Sequence, residues 1–158
     1  MVEHGFYIID DRFFEDFPDP YLKGNKEEKR PHYFTIQDKK TGLYWFIPMS
    51  SQVDKYRKIL SLREERKQPC DILHIAKLDN GKESVFLIQD IFPVSEKYVK
   101  KKYTIAGNHL RVTSEKLAKT IDKKAKRILS LIKRKVVLLP TQPNTLKIEQ
   151  ELLKNQVN

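Results

Sequence analysis

Two pairs of apolar runs, each split by a short polar stretch, restrict the possible folds of this chain more than any other feature. His32-Tyr33-Phe34-Thr35-Ile36 and Leu43-Tyr44-Trp45-Phe46-Ile47 flank Asp38-Lys39-Lys40-Thr41-Gly42. Aromatic and β-branched residues bounded by turn formers read as a hairpin with a loop of several residues. Ile72-Leu73-His74-Ile75-Ala76-Lys77-Leu78 and Ser84-Val85-Phe86-Leu87-Ile88 repeat the pattern around Asp79-Asn80-Gly81. Phe6-Tyr7-Ile8-Ile9 is a short first strand, and Phe13, Phe14 and Phe17 follow it ahead of the Pro18-Asp19-Pro20 turn. Tyr21 to Arg30 is polar and charged and reads as a surface loop. Ser51 to about Lys67 places Val53, Tyr56 and Leu60 on one helical face. The longest helix is expected from Thr113 or Ser114, with Leu117, Ile121, Ala125, Ile128 and Ile132 as its apolar stripe. After Pro143, the residues Leu146, Ile148, Leu152 and Leu153 suggest a short amphipathic helix that can dock on the sheet. Short strands with segregated helices imply one α+β domain over 1–158, a small and strongly bent antiparallel sheet with helices packed around it.

Charge narrows the function classes. There are 31 Lys and Arg against 21 Asp and Glu, a net charge of +10, so the expected partner is a polyanion. Nucleic acid ranks before membrane, because no lipid-anchoring motif and no run of about 18 apolar residues accompanies the charge. Met1-Val2-Glu3-His4 lacks a basic n-region, which makes a cytoplasmic location the expectation. The single cysteine, Cys70, rules out an internal disulfide framework, and four scattered histidines offer no zinc-ligand spacing. No metal or other cofactor is expected. The excess charge is concentrated on the longest helix, where Lys116, Lys119, Lys123, Lys124, Lys126, Arg127, Lys133 and Arg134 face only Glu115 and Asp122 within the helix. Solvated helix faces ordinarily mix signs, so a face this one-sided favours contact with a polyanion over mere solubility.

Chemistry is most concentrated in Tyr44-Trp45-Phe46-Ile47-Pro48-Met49-Ser50-Ser51-Gln52-Val53-Asp54-Lys55-Tyr56. Pro48 is expected to close the strand, and Ser51 with Asp54 three residues later has the form of a capping box. The first turn of a helix carries unpaired N–H groups and the positive end of its dipole, so Ser50 and Ser51 stand where an anion is welcome. Lys55, one turn beyond Ser51, shares its face. The plainer reading makes Ser51 a cap and Lys55 a solvated charge.

Leu43 to Ser51, Cys70 to Ile75, Val85 to Pro93 and Gly107-Asn108-His109-Leu110-Arg111 together resemble the endoribonuclease toxins of type III toxin-antitoxin systems, the CptN branch more than ToxN, TenpN or AbiQ. The resemblance spans essentially the whole chain. It implies a compact SH3-like antiparallel barrel related to MazF and Kid, metal-independent RNA cleavage, and inhibition by a small repeated, pseudoknot-like antitoxin RNA. It also implies that the toxin trims that RNA and stays bound to it in a closed, RNA-bridged hetero-oligomer. Metal-free cleavage proceeds by attack of the ribose 2′-hydroxyl on the adjacent phosphate and leaves a 2′,3′-cyclic phosphate. It needs a base, donors for the phosphorane oxygens, and an acid or cation for the leaving oxygen. Ser50 and Ser51 match the family's paired hydroxyls and are assigned to phosphate positioning. The family's lysine two residues later is Val53 here, so the role passes to Lys55. His32, which can exchange protons near neutral pH and opens a strand beside the basic loop, is the alternative acid or base. Tyr21, Lys23 and Asn25 in the loop, His109 and Arg111 ahead of the long helix, and Lys119, Lys123, Lys126 and Arg127 on it are the expected RNA contacts. His74 follows strand alternation and is expected to be structural. A non-catalytic RNA-binding module stays open as the alternative, and a DNA-binding regulator is weaker because no helix-turn-helix pair is visible.

Overall fold

The computed structural model describes residues 1–68 and 70–157. Its centre is β1 (Phe6–Ile9), β2 (His32–Gln37) and β3 (Tyr44–Ser50), neighbours in an antiparallel sheet. After α1 (Asp11–Asp16) and α2 (Val53–Glu65) are threaded between them, β4 (His74–Lys77) and β5 (Glu83–Phe86) form the second expected hairpin. β6 (Phe92–Val94) and β7 (Val99–Lys102) complete the sheet, in the order β4-β5-β3-β2-β1-β7 with β6 also on β3. β8 (Thr104–Ile105) and β9 (Asn108–His109) make a separate small hairpin. Ala106 and Gly107, both at positive φ (51° and 80°), form its turn, the backbone sign that two-residue hairpin turns demand. The path from β4 to β7 is open among the described residues, since no pairing joins the two ends. The class is α+β, as expected.

The central strands β1 and β3 and the first half of β2 read as apolar runs because both faces of the sheet are covered there. Phe6, Tyr33, Trp45, Ile47 and Met49 project to one side, under α3 (Glu115–Lys133), whose Ile121, Ala125, Ile128 and Ile132 are buried against them. Tyr7, Phe34 and Phe46, one residue out of phase, project to the other side, where Phe13 of α1 and Ile148 and Leu152 of α4 (Thr145–Val157) cover them. Period-two alternation therefore sorts side chains between two cores rather than between core and water. α3 starts where the sequence indicates, with the Ser114 hydroxyl accepting from the Leu117 N–H at 3.2 Å. Two of its charged residues are used for docking. Asp122 accepts from the Thr35 hydroxyl at 2.7 Å, and the Lys124 amine donates to the Leu73 carbonyl at 3.3 Å and faces His74 Nδ1 at 3.0 Å. No helix among the described residues is long and apolar enough to cross a membrane.

Pro48 does not end β3. It sits opposite His32, and its carbonyl accepts from the Leu87 N–H at 3.0 Å. At this point β3 exchanges partners: Tyr44 to Phe46 pair with β6, whereas Met49 and Ser50 pair with β5. Proline is tolerated because its carbonyl still bonds across the sheet while the donor it lacks falls where the partners change.

Candidate functional site

The continuation of β3 past Pro48 also changes how α2 begins. Ser50 belongs to the sheet, and its hydroxyl accepts from the Gln52 N–H at 3.1 Å. The Ser51 carbonyl takes the Val53 N–H at 2.9 Å, and Gln52 occupies the N-cap position without a side-chain bond. The expected Ser51–Asp54 capping box is thus not formed, which leaves the exposed Ser51 hydroxyl and the first-turn amides of α2 without a capping side chain.

Ser50 and Ser51 open into a cleft of about 260 Å³ whose cationic wall is Lys26, Lys29, Arg30 and Lys82. Arg30 is its best-built member. Its Nε donates to the Met49 carbonyl at 3.1 Å and Nη1 to the Gly24 carbonyl at 3.2 Å, so the guanidinium is anchored to the backbone of both β3 and the preceding loop. Burial lowers its pKa somewhat, but an arginine starts far above neutrality and stays charged. The single acidic side chain lining the cleft, Glu83, is paired with Arg57 at 2.7 Å.

The loop that brings these cations together is strained. Lys26, Glu27 and Glu28 have φ of 51°, 55° and 69°, three consecutive left-handed residues without a glycine, each costing about 1–2 kcal/mol. Asn25 holds them. It is only 2% exposed, and its amide donates to the Ile9 carbonyl at 2.8 Å while its Oδ1 accepts from the Glu28 N–H at 3.1 Å. The Glu28 carboxylate bridges Lys100 at 2.7 Å and Lys101 at 3.0 Å on edge strand β7. Asn25, expected to contact RNA, is therefore a buried anchor, with both ends of its amide engaged by backbone.

His32 requires a similar correction. Its ring is 0% exposed, packed edge-on to Phe92 with centroids 5.5 Å apart and tilted against Phe14. Neither ring nitrogen has a well-formed hydrogen bond. Burial first and the Arg30 charge second push its pKa down to about 3, which the nearby Lys23 and Arg30 backbones offset only in part. A neutral ring sealed inside the core does not exchange protons with a substrate at neutral pH, because strand β2 turns residue 32 inward against β3.

The other expected residues divide into groups. Lys55 is exposed on α2, its amine 5.2 Å from the Tyr56 ring centroid, and the Lys23 amine lies 3.4 Å from the Tyr56 hydroxyl. Lys23 and Lys55 thus flank one tyrosine beside the cleft without lining it. Behind them Asp90, 5% exposed, has its pKa raised to about 7 by burial, against the lowering influence of Lys23 and Arg30. Tyr21 is exposed and outside the cleft. His109 is tied down, since its Nε2–H donates to the Phe6 carbonyl at 2.9 Å and its ring meets Tyr7 edge-on. Arg111 is exposed, and Leu110 between His109 and Arg111 is the residue that enters the cleft. Lys119, Lys123 and Lys126 are exposed on α3 away from the cleft lining, and Arg127 pairs with Asp71 at 2.8 Å. His74 is half-buried against Lys124 and is pushed down to about 4, mainly by burial.

Residues the sequence did not single out are Arg30, Lys29, Lys26, Lys82, Tyr103 and Asp90. The spacing of Lys26, Lys29 and Arg30 was a signal for the first three, since a turn over those positions gathers cations. Nothing local connects Lys82 or Tyr103 to β3.

No family model matches the chain, and no curated protein matches it.

Proposed function

We propose that the chain is a sequence-selective endoribonuclease toxin of the type III toxin-antitoxin kind, which cleaves RNA without a metal ion in the cleft at the end of β3. The observation that carries this reading is the meeting of Ser50 and Ser51 with an anchored arginine and three lysines. A scissile phosphate seated there meets the Ser50 and Ser51 hydroxyls and the remaining donors of Arg30. Attack by the 2′-hydroxyl builds charge on the phosphorane oxygens, which fixed donors in a partly dehydrated cleft stabilise more strongly than mobile water does. Lys23 and Lys55 on the Tyr56 side extend the positive surface for the flanking backbone. The antitoxin RNA, a small repeated transcript, inhibits by occupying this surface, and α3 with Lys119, Lys123 and Lys126 widens its footprint. The same resemblance carries an SH3-like barrel related to MazF and Kid. Its support is the change of partners along β3 and the register shifts in β1 and β2, devices that curve a sheet.

A non-catalytic RNA-binding module is the second reading, and one observation favours it: His32 is buried, and every ionisable group lining the cleft except Glu83 and Tyr103 is a cation. Incubating RNA with the protein in EDTA separates the two. New fragments ending in 2′,3′-cyclic phosphate are expected, and intact RNA bound by folded protein refutes the catalytic reading. Ser51→Ala should abolish cleavage at unchanged stability, because Ser51 makes no cap bond and exposed substitutions ordinarily stay within about 0.5 kcal/mol.

A further inference from the structure

We propose that the apolar part of the cleft lining seats one unstacked nucleobase of a single strand, with Tyr103 as the stacking platform; this rests on the reading of the cleft as an RNA site. A groove that only tracked phosphates would be polar throughout. Here the lining also includes Leu78, Tyr103, Ile105 and Leu110. Leu78 and Leu110 are nearly closed off, but Tyr103 is half-buried and Ile105 stands among the exposed large hydrophobic residues of the chain. Apolar surface beside a cationic rim fits the two chemistries of a nucleotide, a flat ring and an anion.

The apolar wall is also rigid. The Tyr103 N–H donates to the Phe6 carbonyl at 2.9 Å, fastening it to β1, and the Leu110 N–H donates to the Tyr103 carbonyl at 3.0 Å. Between them β8 and β9 close through the Ala106-Gly107 turn, and Ile105 pairs with Asn108. His109 clamps the base of this hairpin onto the Phe6 carbonyl. A stacking surface held by backbone bonds loses little freedom when a base lands on it, which is where binding gains most. At about 260 Å³ the cleft is small even among single-ligand sites. That size suits one base better than a pair, and an unpaired base is what sequence-specific RNA recognition ordinarily reads.

The test uses the full chain and fluorescein-labelled ten-nucleotide probes whose riboses are all 2′-O-methyl, which removes the attacking hydroxyl. One probe is oligouridylate, one oligoadenylate and one an abasic strand of equal length and charge. The parent protein is expected to bind at least one base-bearing probe tenfold or more tighter than the abasic strand. Tyr103→Leu keeps an apolar side chain but loses the ring, and should remove that advantage without changing abasic binding; Tyr103→Phe should retain it. Equal binding of all three probes, an equal effect of Tyr103→Leu on base-bearing and abasic strands, or loss of the advantage in Tyr103→Phe overturns the base seat. Cleavage of natural RNA in EDTA is read separately, so the base seat can fail while the endoribonuclease reading stands; absence of any RNA binding ends both. A second arm needs no variant. Irradiating the parent protein with a 4-thiouridine probe should cross-link a peptide containing residues 103–110, and cross-links confined to other peptides overturn the proposal.

Discussion

Replacing Asn25 by alanine tests whether the left-handed loop is held by one buried side chain. The substitution removes the donor to the Ile9 carbonyl at 2.8 Å and the acceptor for the Glu28 N–H at 3.1 Å, at a site 2% exposed. A hydrogen bond contributes about 1 kcal/mol net, and a buried group left unpaired costs about 1–3 kcal/mol. The loss should total about 3 kcal/mol. For a chain of 158 residues this corresponds to a fall in Tm of roughly 6–12 °C, at about 2–4 °C per kcal/mol. The domain should remain folded at 25 °C, since natural domains hold about 5–15 kcal/mol in reserve. Circular-dichroism melting reads the global loss. Amide exchange reads the local one: the Lys29 N–H, bonded to the Lys26 carbonyl at 3.1 Å, and the Arg30 N–H, bonded to the Asn25 carbonyl at 2.8 Å, should lose protection first. RNA affinity should fall together with loop order, although no cation has been removed. A Tm shift below about 2 °C with Lys29 and Arg30 still protected would show that the loop holds its own conformation, and the anchoring argument would fail.

Acid titration should separate Asp90 from His32 and His74, whose shifts act on stability in opposite directions. Asp90, raised to about 7 from 3.8, keeps its proton in the folded state where the unfolded chain has lost it, so its contribution is full at low pH and fades as pH rises through 7. His32, lowered to about 3, and His74, lowered to about 4, work the other way and cost stability as pH falls below about 6.5. Asp90→Asn should therefore steepen the rise of stability from pH 4.5 to 6.5, by at most about 1.4 kcal/mol per pH unit, and an unchanged profile of urea midpoints would contradict the assignment. Gly5→Ala should destabilise by about 1–3 kcal/mol, because its Cβ would stand 2.7 Å from His109 Cε1 and 3.0 Å from the Val2 carbonyl; a melting temperature equal to the parent's would show that His109 moves freely. Lys119→Gln with Lys123→Gln should lower the slope of log affinity against log salt for antitoxin RNA by about 0.7 per lost phosphate contact. Retention of the full slope would place the RNA off α3.

The sequence by itself determined most of the elements but not α1, β6, β7 or the β8–β9 hairpin. Apolar runs and turn formers located β1, both hairpins and α3 with its Ser114 cap, because hydrophobic periodicity and local capping act over a few residues and are written where they act. The basic excess and the pairing of Ser50 with Ser51 were visible for the same reason. Only the tertiary structure decided which side chains face outward. His32 and Asn25 have polar identities that suggest exposure, yet strand β2 turns one into the core and the Ile9 carbonyl captures the other. The expected capping box gave way because β5 recruits Met49 and Ser50 into the sheet, a partner more than 30 residues away competing with a local bond. The cleft itself unites loop 26–30, the end of β3, the turn before β5 and the β8–β9 hairpin, four segments brought together by burial on both faces of one sheet. Burial depends on the whole fold, and no short stretch of sequence records it.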